Sequence, residues 1–117
     1  MLADTVTYTG HTAEGRRIVV EVRDRAVIAV RAGIDHYRCA TFGEIGPVVV
    51  VHRHLHAHIA ADGRFALSAG APSERLRVTG RVHAGRRRVT GTVRLIGSIA
   101  TGQRCVSATL RYTAAAR

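Results

Sequence analysis

The segment Arg75–Leu95, RLRVTGRVHAGRRRVTGTVRL, contains two nearly identical runs, VTGRV and VTGTV, joined by HAGRRR. Apolar and polar residues alternate in both runs, and β-branched residues dominate them, which is the pattern of a β-strand. A four-residue turn over AGRR, residues 84–87, folds the segment into a hairpin. The predicted register pairs three positions: Val82 with Val89, Gly80 with Gly91, and Val78 with Val93.

The two glycines of this hairpin would face each other on one side of the sheet. A glycine inside a strand marks a bend or a close approach by another group. We therefore expect an aromatic side chain from elsewhere in the chain to lie over the pair. The candidates are Tyr8, Phe65 and Tyr112.

Period-2 alternation continues through most of the 117 residues, and no helical pattern exceeds two turns. Asp24-Arg25 and Asp62-Gly63 are tight-turn signals. The predicted strands are Thr5–Thr9, Arg17–Arg23, Ala26–Ile34, Val48–Ala60, Phe65–Ser68, Arg75–Ala84, Arg87–Gly97 and Cys105–Ala114. The prediction is one all-β domain over residues 1–117, a single antiparallel β-sandwich or small jelly-roll-like barrel of about eight strands.

The formal net charge is +10, from 18 arginines and no lysine against 8 acidic residues. Such a charge attracts polyanions, so a cell-surface polymer or another polyanion is the expected partner. Arg86, Arg87 and Arg88 at the hairpin tip are candidate anion contacts, although a solvated turn is the favoured interpretation. With five aromatic residues and no basic recognition helix, we do not expect sequence-specific nucleic-acid binding.

Two features of the chain bear on its compartment. No apolar run approaches the roughly 18 residues of a membrane helix, and the N-terminus MLADTVTYTG lacks a signal-peptide pattern. A signal removed before Met1 would account for that lack. Cys39 and Cys105 are too far apart in sequence for a CxxC motif. They form one disulfide if the protein is exported, or remain two buried thiols in a cytoplasmic domain.

The run Val48–Phe65 carries histidines at every second position: His52, His54, His56 and His58. On a continuous strand they share one face, with neighbours about 6.6–6.8 Å apart, so one adjacent pair can reach a single metal ion. Zn, Ni or Cu would suit imidazole ligands. The candidate metal set is His54, His56 and His58 with His83 or Asp62 from another strand, and His36, His11 and Glu44 are further candidates for the missing ligand.

The opposite face of the same strand argues for a simpler explanation. Leu55, Ala57 and Ile59 alternate with the histidines and form the obvious core face. The histidines would then point to solvent. This ordinary solvent face is the favoured interpretation, and no cofactor is predicted beyond the conditional metal.

An enzyme motif competes for the same residues. His56-x-His58 followed by Asp62 resembles the first metal motif of the cupins, and the GRVH run places His83 as their second motif does. The acid is Asp instead of Glu, and the usual proline-glycine pair is missing. A cupin-like metalloenzyme is therefore an alternative, whereas a carbohydrate-binding domain is disfavoured by the absence of Trp.

Several markers occur along nearly the whole chain in a familiar order: Tyr8–Val22 (YTGHTAEGRRIVVEV), Tyr37–Cys39 (YRC), Asp62–Phe65 (DGRF), the two VTG runs and Cys105–Ala114 (CVSATLRYTA). This order resembles a group of small secreted β-sandwich domains of unknown function from high-GC Gram-positive bacteria. Ala108 departs from that pattern, where the group often has Gly, and the histidines are not among its markers.

The resemblance implies an extracytoplasmic β-sandwich with a Cys39–Cys105 disulfide, and it implies no catalytic residue. We predict a non-enzymatic binding or structural module that is extracellular or at the cell surface, with an unknown ligand. A histidine-based metal-binding protein is the alternative.

Overall fold

The structure, a computed structural model, describes residues 4–40, 43–85, 87–98 and 102–116. In these ranges every regular element is a β-strand. The strands are β1 Val6–Thr12, β2 Arg17–Arg23, β3 Ala26–Ile34, β4 Tyr37–Cys39, β5 Gly43–Ile45, β6 Val48–His52, β7 Ala57–His58, β8 Arg64–Ala71, β9 Glu74–Val82, β10 Arg88–Ser98, β11 Arg104–Ser107 and β12 Leu110–Ala116. Across the same ranges, nothing has the length and apolar character of a membrane-spanning helix.

The strands form one antiparallel sheet that curls until it is nearly closed into a barrel. Its order is β8-β9-β10-β12-β1-β2-β3-β6, with β7 also paired to β3 and lying beside β8. Around the barrel, neighbours follow the order of the chain, so this is an up-and-down barrel. The all-β antiparallel prediction is confirmed, but the strand count is twelve instead of eight, and the strand order is not that of a jelly roll.

The hairpin formed by β9 and β10 has the predicted register. Val82 pairs with Val89, Gly80 with Gly91, and Val78 with Val93. Two of the three candidate aromatics cover Gly80: a Cβ placed there would lie 2.6 Å from Phe65 Cε1 and 2.7 Å from the Tyr112 hydroxyl. That hydroxyl donates a 2.9 Å hydrogen bond to the Thr79 carbonyl, and burial raises the pKa of Tyr112. Tyr8 is buried in the same core.

Three short strands, β4, β5 and β11, form an arm at one end of the barrel. β10 extends past β12, and its last residues pair with β11, which in turn pairs with β4. Cys39 lies directly opposite Cys105, and the two form a disulfide with their Cα atoms 4.0 Å apart. Ile34 at the end of β3 and Tyr37 at the start of β4 are both buried where the arm meets the barrel. The disulfide of the arm is typical of an oxidising environment.

The prediction of one continuous strand over Val48–Ala60 is wrong, because the strand is interrupted after His52. Val30 of β3 pairs with His52, and Val27 pairs with Ala57, so residues 28–29 lie opposite residues 53–56. Two extra residues therefore bulge out between β6 and β7. Such bulges bend a strand and increase its twist, which a small barrel requires.

Candidate functional site

The bulge scatters the four histidines that the sequence placed on one face. His54 sits in the left-handed region at φ +58°, and it lines an outer groove of about 510 Å³ together with His56. His52 is half-buried on the other side of the bulge, where its imidazole lies against Gly70. The single-face prediction is therefore wrong for the four together. The predicted core face is correct, because Leu55, Ala57 and Ile59 pack on the core while His54, His56 and His58 are exposed.

The other candidate ligands are engaged elsewhere. His83 Nε2 lies 2.7 Å from Thr90 Oγ1. Asp62 Oδ1 accepts a 3.1 Å hydrogen bond from the Arg64 amide, and its other oxygen is 3.7 Å from Arg64 Nε. Both residues line a cavity that neither His54 nor His56 reaches. Among the described residues, no group of three or more His, Cys, Asp or Glu side chains could hold a metal ion.

The remaining predicted positions lie at the two ends of the molecule. On the arm, His36 bonds to Glu44, and that hydrogen bond, together with the carboxylate's charge, raises the pKa of His36. At the other end, Arg87 and Arg88 are exposed in and beside the hairpin turn. Arg86 lies outside the described residues.

The end of the barrel away from the arm is open, and it holds a cavity of about 910 Å³ that we call the mouth. Three turns and the start of β1 surround it: the β2–β3, β7–β8 and β9–β10 connections. Each turn contributes only a few residues to the cavity, so these residues come together only when the sheet curls into a barrel. Its lining residues are Asp4, Val6, Tyr8, Val22, Asp24, Arg25, Ile59, Ala60, Ala61, Asp62, Gly63, Arg81, Val82, His83, Ala84 and Gly85.

The walls of the mouth are apolar, and its rim is charged. Val6, Val22 and Val82 are partly buried, and they pack on the core below them while lining the cavity. Arg25 and Arg81 contribute cationic groups to the lining. Arg81 also donates a 3.3 Å hydrogen bond from Nε to the Asp62 carbonyl, and this bond links β9 to the β7–β8 turn. The arrangement can hold an apolar body in the barrel and a polar group at its opening.

One rim turn adopts a backbone conformation that is costly for its residues. Asp24 and Arg25 have φ values of +52° and +62°, and they join β2 to β3 as a two-residue turn. Such turns favour Asn-Gly or Asp-Gly because side chains other than glycine are strained at positive φ. The Ile59 amide donates a 2.9 Å hydrogen bond to the Arg25 carbonyl and holds the turn in place. Positive φ at both positions is what this tight two-residue connection requires, so the strain is a cost of the turn.

Replacing Arg25 with glycine should relieve that strain. We expect Arg25→Gly to raise the free energy of unfolding by about 1 kcal/mol, because the turn becomes Asp-Gly. Urea denaturation measures the change. Arg23→Gly, at the end of β2, is the matched control and should lower stability, since glycine weakens a strand. A lower stability for Arg25→Gly would contradict the strained-turn interpretation.

Comparison with protein-family models, with curated proteins and with solved structures finds no match to this chain. The resemblance to small secreted β-sandwich domains therefore stays a prediction. No sequence pattern predicts the mouth, and the Asp24-Arg25 turn was predicted only as a connection between strands.

Proposed function

We propose that this chain is an extracytoplasmic binding domain, without catalytic chemistry, that takes a small amphiphilic ligand into the mouth of its barrel. The observation that carries the proposal is the cavity of about 910 Å³ at the open end. Small-molecule sites in proteins are concave, span roughly 300–1,000 Å³, and include the mouths of β-barrels. The barrel wall has eight strand positions, and a barrel of about eight strands is wide enough to hold one small ligand.

The distribution of polar groups supports a ligand with one apolar and one anionic part. The valines of the wall offer no hydrogen-bond partner, so the inner part of the ligand must be apolar. Asp62 is already committed to Arg64, whereas Arg25 makes no side-chain hydrogen bond or ion pair with any described residue. The net charge of +10 adds a field that attracts anions. Asp4 and Asp24 also line the cavity, so the anionic head group is proposed to bind where Arg25 and Arg81 lie.

The extracytoplasmic part of the proposal is supported by the Cys39–Cys105 disulfide, because cytosolic thiols are normally kept reduced. Thiol alkylation of the protein in intact producing cells, followed by intact-mass measurement with and without reductant, tests it. An oxidised pair in the exported fraction is expected. A pair that alkylates freely would contradict export.

Binding of the fluorescent amphiphilic anion 1-anilinonaphthalene-8-sulfonate tests the mouth itself. Val22→Phe adds a ring to the cavity wall, and we expect it to weaken the probe's affinity by at least about ten-fold, equivalent to 1.4 kcal/mol. Fluorescence titration gives the dissociation constant. Ile45→Phe, an equally apolar enlargement on the exposed arm at the far end, should leave the affinity unchanged.

A second variant guards against misfolding of the first. Val82→Phe places a ring on the opposite wall of the mouth, which is formed by β9. It should weaken the binding of the probe in the same way. Circular dichroism verifies that each variant retains its strands. Unchanged affinity in both folded mouth variants, or equal loss in Ile45→Phe, would contradict the proposal.

A further inference from the structure

A second candidate site lies on the outer wall of the barrel, away from the mouth. We call it the arginine face: Arg75 and Arg77 on β9, Arg94 on β10 and Arg111 on β12. Their neighbours Leu76, Val78, Val93 and Leu95 are fully buried. Because side chains alternate along a strand, the arginines of β9 and β10 project outwards.

The strand register brings these cations together in one row. Arg77 lies directly opposite Arg94. Arg75 is two residues before Arg77 and shares its face, at a spacing of about 7 Å. On the other side, Arg111 is opposite Thr92, which is itself opposite Thr79. The row therefore crosses three adjacent strands.

Nothing within the described structure neutralises this row. The ion pairs of the described residues involve Arg16, His36 and Arg64, and none of the four face arginines. The acidic residue Glu74 precedes Arg75 on β9. Because side chains alternate along the strand, Glu74 is in phase with the inward-facing Leu76 and not with the arginines. Like charges placed directly opposite each other on a sheet are unfavourable, so Arg77 and Arg94 form an unusual pair unless an anion joins them.

Two polar features lie within the row. Arg94 Nε is enclosed and has no hydrogen-bond partner among the described residues, so the stem of that side chain lies against the sheet surface. Thr79 and Thr92 share a 2.6 Å hydroxyl–hydroxyl hydrogen bond between the Arg77–Arg94 pair and Arg111. Hydroxyls and guanidinium groups are typical ligands of phosphate oxygens.

We propose that the arginine face binds a linear polyanion built of phosphate groups, which lies across β9, β10 and β12. Guanidinium groups bind phosphate oxygens in a bidentate manner, and a row of them matches a chain of phosphates better than one isolated ion. The four positions and the threonines between them include no aromatic residue, so the face offers no platform for stacking bases. This favours a phosphate polymer over single-stranded nucleic acid.

Inorganic polyphosphate is the probe, and a paired set of variants separates the face from net charge. Arg77→Gln/Arg94→Gln removes two charges from the centre of the row. Arg17→Gln/Arg23→Gln removes two exposed charges from β2. At about 0.15 M salt, we expect the first pair to weaken binding by at least about ten-fold and the second by less than about three-fold.

Two further readouts sharpen the result. The salt dependence of binding should become shallower in the Arg77→Gln/Arg94→Gln variant, since about two phosphate contacts are lost. Its melting temperature should equal or exceed that of the parent, because like charges no longer face each other. This shows that weaker binding does not come from unfolding.

Three outcomes would overturn the proposal. Equal loss in both variant pairs would mean that net charge alone attracts polyphosphate. Absence of binding by the parent at the same salt concentration would mean that the face is only a solvated surface. Tighter binding of single-stranded DNA of matched charge would assign the face to nucleic acid instead. Because none of the four arginines lines the mouth, none of these outcomes bears on the amphiphile proposal.

Discussion

Replacing both cysteines with alanine, Cys39→Ala/Cys105→Ala, is expected to lower the free energy of unfolding by about 4 kcal/mol. The bridge joins residues 66 apart in sequence, so its loss returns a large conformational freedom to the unfolded chain. The arm strands have only three or four residues each, and strands this short have little stability of their own. Guanidinium denaturation measures the loss.

The single variants provide the control for this prediction. Cys39→Ala and Cys105→Ala each remove the whole bridge, so each should cost nearly as much as the double variant, and the effects should not add. Addition of reductant to the parent protein should give a similar loss. A double variant within about 1 kcal/mol of the parent would show that the bridge does not constrain the fold.

The second large effect is expected at Gly80. Gly80→Val should lower the free energy of unfolding by about 3 kcal/mol, because the new side chain overpacks the core. Even its Cβ would lie 2.6 Å from Phe65 Cε1 and 2.7 Å from the Tyr112 hydroxyl. Thermal and urea denaturation measure the change. Ala66→Val, at an exposed position on the neighbouring strand β8, is the matched control and should change stability by less than about 0.5 kcal/mol.

A compensating substitution identifies the cause. Phe65→Leu leaves room beside Gly80, so Gly80→Val should cost less in the Phe65→Leu background than in the parent. The difference is the coupling free energy of a double-mutant cycle, and contacting residues typically give about 0.5–3 kcal/mol. Additive effects would contradict the view that Phe65 occupies the space that glycine leaves open.

The β9–β10 hairpin could be predicted because its signals are local. The repeated VTG runs and the short turn set the pairing of Gly80 with Gly91, and the same register places Arg77 opposite Arg94. The need to cover opposed glycines correctly pointed to Phe65 and Tyr112. The register could be predicted from residues that are close in sequence. The cover of Gly80 could be predicted because the chain has few aromatic residues that could supply it.

The bulge after His52 could not be read from the same kind of pattern. Residues 53–56 lie opposite residues 28–29, so the insertion amounts to two residues. Val50 is buried before the bulge and Ile59 after it, an odd number of positions apart, so the residues that face the core change from even-numbered to odd-numbered. The four valines before His52 conceal this change because both faces of the strand are apolar there, and the backbone at His54 turns to positive φ.

The mouth and the arm were missed for a different reason. The strands of the arm are too short to show a period, as the three residues of β4 illustrate. The mouth is assembled from the turns at Asp24-Arg25, residues 60–63 and residues 83–85, which meet only when the barrel curls. Sequence periodicity describes single strands, and it does not show which ends of a sheet remain open.

The most direct test of the binding proposal is a chemical-shift titration of ¹⁵N-labelled protein with 1-anilinonaphthalene-8-sulfonate. The expected result is a saturable set of shifts concentrated on the mouth, at Val22, Arg25, Ile59, Gly63 and Val82. Shifts concentrated instead on the outer groove at His54 and His56, with the mouth unchanged, would contradict it.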